Sequence, residues 1–131
     1  MAVRLKIATL VILSLCLPTT IALALPQKGE PRPITTYSQQ TLLKNWALTV
    51  CLAQSFLGSK TSDDAGDTAS GYLEFGRQGL EAYDKLRKLS RQFADKTYAS
   101  SSTSEFRVRK CLDLFHSKEL DDLTRRLARE K

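Results

Sequence analysis

The chain is poor in the residues that build most reactive centres: its 131 positions hold one histidine, one tryptophan and three cysteines. It has no GxGxxG, Walker, GxSxG or HExxH pattern, so the dinucleotide, P-loop, α/β-hydrolase and zinc-peptidase signatures are all missing. Six glycines and four prolines, with 42% hydrophobic and 26% charged residues, exclude collagen-like, repeat and disordered chains and suit one globular domain. No stretch alternates polar and apolar residues with period two, which leaves an all-α fold class. The apolar run Ile7–Leu17 is 11 residues long and ends at Pro18, too short to span a bilayer as a helix.

That run has another use. Arg4 and Lys6 precede it, and Ala22-Leu23-Ala24 follows with the small-x-small pattern of a signal-peptidase site. Residues 1–24 therefore read as a cleaved signal peptide and residues 25–131 as an exported chain. Cys16 would be the acylated residue of a lipoprotein, but Leu15 stands where the lipobox wants a small side chain. Loss of Arg4 and Lys6 lowers the formal charge from +6 to +4. The mature length suits one core and is too short for separate cofactor and substrate domains. Acids and bases are interspersed, with no basic stripe for nucleic acid and no motif for a cofactor.

Only Cys51 and Cys111 remain after cleavage, and an even pair in an oxidising compartment reads as a disulfide. The alternative makes Cys111 a nucleophile assisted by His116. Five residues along a helix turn through about 500°, so the two side chains point about 140° apart. As a metal ligand His116 has no second histidine beside it, and it reads instead as a helix-end or interface residue. Asp63, Asp67 and Glu74 occupy three positions of a calcium-loop template, but Ala65 and Thr68 break it at its third and sixth positions. Asp113, between Leu112 and Leu114, is the nearest approach to a carboxylate in an apolar setting. Arg125, Arg126 and Arg129 offer a binder of anionic surfaces a small foothold.

Residues 25–36 hold Pro26, Pro31 and Pro33 and read as an extended lead-in to a single domain over 37–131. Tyr37 to Leu57 is helical and apolar nearly all round, with Leu43, Trp46, Ala47, Val50 and Leu57 on one face, so it should be the central helix. A second, short helix is capped by Ser62 or Asp63, with Gly76 as a left-handed stop. Gly79 to Tyr98 is amphipathic, with Glu81–Lys85 and Asp84–Lys88 in the favourable i,i+4 order. An uncharged loop over 99–104 leads to a helix from Phe106 to Phe115, with Val108, Cys111, Leu112 and Phe115 as its stripe. Ser117 caps a last helix along Leu120, Leu123 and Leu127. The expectation is a bundle of about five helices, its first clamped to its fourth by Cys51–Cys111.

Three segments, WALTVCLAQSF at 46–56, ASGYLEFG at 69–76 and KCLDLFHSKELDDL at 110–123, together resemble one family. They are similar to the periplasmic immunity proteins paired with type VI secretion amidase effectors, in the fourth amidase-immunity family. The resemblance implies a protein without catalytic activity or cofactor. Such a protein binds an NlpC/P60-type amidase that cuts the D-glutamyl–diaminopimelate bond of peptidoglycan, and so protects producer and sister cells. It implies a helical homodimer that blocks the active site with a loop after the long amphipathic helix, here Ser100, Ser101, Ser102, Thr103 and Ser104. A helix of the other subunit assists, and its counterpart carries Glu81, Asp84, Lys85, Lys88 and Arg91. Without the resemblance, the loop reads as a connector and the charged face as a solvated one. An inhibitor or chaperone of a different cell-wall hydrolase would present the same features. Expression of the full chain with export should yield a protein whose mass and N-terminal sequence begin at Leu25; a start at an acylated Cys16 would replace cleaved export with lipidation.

Overall fold

The computed structural model describes residues 33–99 and 103–130. A 3-10 turn at Ile34–Thr36 leads into five α-helices: α1 Gln39–Ser55, α2 Lys60–Glu74, α3 Leu80–Ala94, α4 Arg107–Phe115 and α5 Lys118–Leu127. No strand occurs among the described residues. None of their helices is long and apolar enough to cross a membrane.

Ser38 starts α1, its hydroxyl accepting from the Thr41 N–H at 3.1 Å. The helix then buries Leu42, Leu43, Trp46, Ala47, Thr49 and Cys51, and packs against each of the other four helices. A helix apolar on every side needs such cover, so its central place follows from composition. Thr49 is buried harmlessly because its hydroxyl donates to the Asn45 and Trp46 carbonyls of its own helix. Leu57 departs from the expected face. The helix stops at Ser55, Gly58 turns the chain in the left-handed region at φ 76°, and Leu57 is left 80% exposed.

The turn also moves the start of α2. Ser59, rather than Ser62 or Asp63, is the cap, and its hydroxyl accepts from the Ser62 N–H at 3.2 Å. Ser62 is thereby inside the helix, where its hydroxyl donates to the Ala53 carbonyl of α1 at 2.8 Å. Ala65 and Ala69, one turn apart, form the buried face. At the other end, the side chain of Gln39 clasps the α2–α3 connection. Its amide donates to the Phe75 carbonyl and its oxygen accepts from the Arg77 N–H.

Gly76 is not the left-handed stop its position suggests; α2 ends through Phe75 in a right-handed conformation. Its smallness matters instead. A Cβ on Gly76 would lie 1.8 Å from the Tyr83 hydroxyl oxygen. Tyr83 cannot swing away, because it is 3% exposed and its ring meets Trp46 edge-on at 5.0 Å. Burial raises the pKa of its hydroxyl, which has no hydrogen-bond partner.

On α3, Ala82, Tyr83, Leu86, Ser90 and Phe93 face inward. Ser90 reaches across to donate to the Ala47 carbonyl of α1 at 2.9 Å, which removes the cost of burying its hydroxyl. The helix ends at Ala94, short of Tyr98, and on its outer face Arg87 pairs with Asp84 in place of the two expected i,i+4 pairs. On α5, Ser117 caps as expected and Leu120, Thr124 and Leu127 are fully buried. Asp121 accepts from Lys44 of α1 at 2.6 Å, a bond that holds its carboxyl below the usual carboxylate range.

The closeness of Gly76 and Tyr83 yields a double-mutant test. Gly76→Ala should destabilise the fold by about 1–3 kcal/mol through overpacking. Tyr83→Phe alone should be neutral or stabilising, since it removes an unpaired buried hydroxyl. In the double variant most of the loss should be recovered, as read by urea denaturation; simple addition of the two effects would deny the contact.

Candidate partner-binding site

The chain between α3 and α4 is fastened on both sides. On the α3 side, Lys110 of α4 donates to the Ala94 carbonyl at 3.3 Å, and the Tyr98 hydroxyl donates to the Asp113 carboxylate at 2.6 Å. That bond raises the pKa of Tyr98, since losing the proton would break it, so the hydroxyl remains a donor. On the α4 side, Glu105 pairs with Arg107, and the Arg107 guanidinium lies 5.7 Å from the centre of the Phe56 ring on the chain leaving α1. Below this, Cys111 is bonded to Cys51 of α1, as expected, and both sulfurs are buried.

Of the five loop residues singled out from sequence, Ser100, Ser101 and Ser102 lie outside the described residues. Thr103 and Ser104 are exposed. The charged residues of α3 are exposed too, but they divide into two groups. Asp84, Lys88 and Arg91 line a shallow depression of about 450 Å³ with Arg87 and Asp95. Glu81 and Lys85 line a second of about 440 Å³, beside Glu130 beyond α5.

The apolar stripe expected on α4 is rotated. Its buried side chains are Cys111 and Leu114, whereas Val108 is 52% and Leu112 46% exposed. Burial of Leu114 together with Cys111 sets this rotation. With Cys111 and Leu114 turned inward, Val108 and Leu112 stand roughly 90° and 130° round the helix from the buried meridian. They line instead an open recess of about 610 Å³ with Phe56 and Phe106. Sequence reasoning missed the recess, although one signal was present. Leu114 is as apolar as Leu112 and lies on the other side of Cys111, so a second arc through the cystine competes for the core.

None of the residues considered for chemistry has a reactive setting. Cys111 has no thiolate while bonded, and His116 sits exposed at the C-terminal cap of α4 with its ring against Phe115. Asp113 is occupied by Tyr98 and lies near Arg109. Among the described residues no three His, Cys, Asp or Glu side chains are placed to hold a metal ion.

A disulfide-clamped helical domain with no reactive constellation among its described residues, and an apolar recess open on its surface, has the features of a binding domain. Residues 41–124 match the family described as type VI secretion system (T6SS) amidase immunity protein, Tai4, and the chain belongs to that family. No curated protein matches it. Among solved structures it is similar to a chain of the Tae4/Tai4 effector–immunity system of Salmonella typhimurium. The two are 40% identical with a TM-score of 0.67, over 73% of this chain and 96% of that one. A chain from work on type VI-secreted toxins and self-resistance proteins of Serratia marcescens is 28% identical, with a TM-score of 0.68 over 82% and 88%. A third, from a complex of S. typhimurium Tae4 with Enterobacter cloacae Tai4, shares the fold at 21% identity, with a TM-score of 0.62 over 74% and 99%.

The clamp can be tested directly. Replacing Cys51 and Cys111 by Ala together should lower stability by about 4 kcal/mol, the chain-entropy value for a 60-residue separation. Hydrogen exchange should rise at the start of α4, next to the loop. Unchanged protection there would mean that the loop's anchorage does not depend on the disulfide.

Proposed function

We propose that the chain is an exported immunity protein that binds a Tae4-type peptidoglycan amidase in the periplasm and blocks its active site, without turnover of its own. Membership of the amidase immunity family carries this reading. Residues 1–24 serve as the cleaved signal, 25–36 as a lead-in, and 37–131 as the immunity domain, which acts as a homodimer. The blocking element is the segment Ser100, Ser101, Ser102, Thr103 and Ser104, entering the groove that admits the D-glutamyl–diaminopimelate stem. Small uncharged side chains suit a segment that must enter a narrow cleft. Glu81, Asp84, Lys85, Lys88 and Arg91 on α3 of the other subunit flank the bound enzyme.

The fastening of both loop ends supports the reading, because an inhibitor held in place loses less entropy on binding. The S. typhimurium effector is a suitable probe. Its immunity partner's system includes a chain 40% identical to this one, and the same effector forms a solved complex with the E. cloacae immunity protein. The full chain, exported and purified with its disulfide intact, should abolish peptidoglycan cleavage by S. typhimurium Tae4 stoichiometrically. Deletion of residues 100–104 should restore cleavage. Inhibition that survives the deletion would move the mechanism to the α3 face, and absence of both binding and inhibition would overturn the proposal. Cleavage of peptidoglycan by the protein alone would make it an enzyme.

A further inference from the structure

The geometry points to a second contact with the amidase: the recess formed by Phe56, Phe106, Val108 and Leu112 receives an apolar side chain, flanked by a carboxylate, from the rim of the enzyme's substrate groove. This inference rests on the reading just given. Reach is the first reason. Five residues that leave and return span at most about 8 Å each way, so a loop inserted in a groove draws its own base onto the rim. The recess is at that base, with Ser104 and Glu105 in its wall.

Chemistry is the second reason. Val108 and Leu112 are about half exposed on a helix whose neighbours Cys111 and Leu114 are completely buried, so about half of each is left uncovered among the described residues. Phe106 holds a left-handed backbone at φ 49°, and no other non-glycine among the described residues has positive φ. For a bulky residue this is a strained position, of the kind kept at binding sites. It brings the ring into the lining of the recess.

Charge is the third. Arg109 lies 5.2 Å from the centre of the Tyr98 ring and 6.0 Å from that of Phe106, and its side chain is 66% exposed. Its contact with Asp113, at 3.8 Å, is long, while Tyr98 holds that carboxylate at 2.6 Å. The guanidinium is thus placed on aromatic faces at the edge of an apolar hollow, where a partner carboxylate completes it. Aromatic and arginine side chains of this sort dominate binding energy at protein interfaces.

The test uses the full exported chain carrying Val108→Asp or Leu112→Asp, titrated against S. typhimurium Tae4 by calorimetry. Thermal melting and light scattering are run on the same samples. Each substitution should weaken binding at least about thirty-fold, with the melting temperature and oligomeric mass as in the unaltered protein. Unaltered affinity would overturn the inference and leave the loop mechanism standing. Weaker binding accompanied by a fall in oligomeric mass would also overturn it, by making the recess a contact between copies of the chain. If either aspartate variant melts early, Val108→Ala and Leu112→Ala read the same affinity with the fold intact. Failure of the unaltered protein to bind would instead sink the proposed function itself.

Discussion

The Cys51–Cys111 bond orients much of this molecule. It ties the helix that every other helix touches to the short one that carries the loop away. A nine-residue helix such as α4 has little intrinsic stability, and its rotation would otherwise depend on a few leucines. The cystine holds Cys111 inward and, with Leu114 buried beside it, Val108 and Leu112 are left outward. One covalent link therefore anchors the helix at the foot of the loop, beside the recess.

Around this clamp, polar links between helices are few and specific. Ser90 to Ala47, Ser62 to Ala53 and Gln39 to the α2–α3 connection each bond a side chain of one element to the backbone of another. Such bonds fix register, because a shift of one residue would leave a donor or acceptor unpaired. Most ion pairs, by contrast, are local and exposed: Arg87–Asp84, Lys118–Asp122 and Arg125–Asp122 lie within single helices. They contribute little stability each. Lys44–Asp121 differs in joining α1 to α5 across 77 residues, with Lys44 also above the Phe115 ring. Acid that protonates Asp121 removes this link. Its depressed carboxyl makes it a source of stability above the ordinary carboxylate pKa that is lost as pH falls through the lowered value.

What the sequence reveals, and what it hides, follows from how local each signal is. The Ser117 cap, the Leu120–Leu127 stripe and the central place of α1 are encoded within a few turns of helix and are legible. The start of α2 was misplaced because Ser59 and Ser62 are both good caps. The choice between them depends on the left-handed turn at Gly58, which periodicity does not register. Gly76 looks like a helix stop in sequence, yet its importance lies in a tyrosine seven positions later. Ser90 resembles a flaw in an apolar face until its partner carbonyl on α1 is known. The α4 stripe is ambiguous for a related reason: Leu112 and Leu114 flank Cys111 on opposite sides, and hydrophobic spacing does not say which side faces the core. The charged face of α3 and the described loop residues, Thr103 and Ser104, lie on the surface as anticipated, but surface placement alone does not select a partner.

The proposed division of binding between loop and recess has a physical rationale. A segment of serine and threonine is slim and rich in backbone donors and acceptors, which suits a narrow groove. It also has little apolar surface to bury, and at about 25 cal/mol per Å² such a segment gains little from leaving water. Its hydrogen bonds are exchanged for others with water and contribute modestly to net affinity. Tight binding by so polar an element therefore needs apolar area held close to it, on structure already ordered. The side chains meeting that requirement nearest the loop are Phe106, at the N-terminal cap of α4, and Val108 and Leu112 on the helix that the disulfide ties to α1. Under the proposed function, shape selectivity belongs to the loop and binding energy to the recess. The strained backbone of Phe106 joins the two, holding its ring where the chain passes from one to the other.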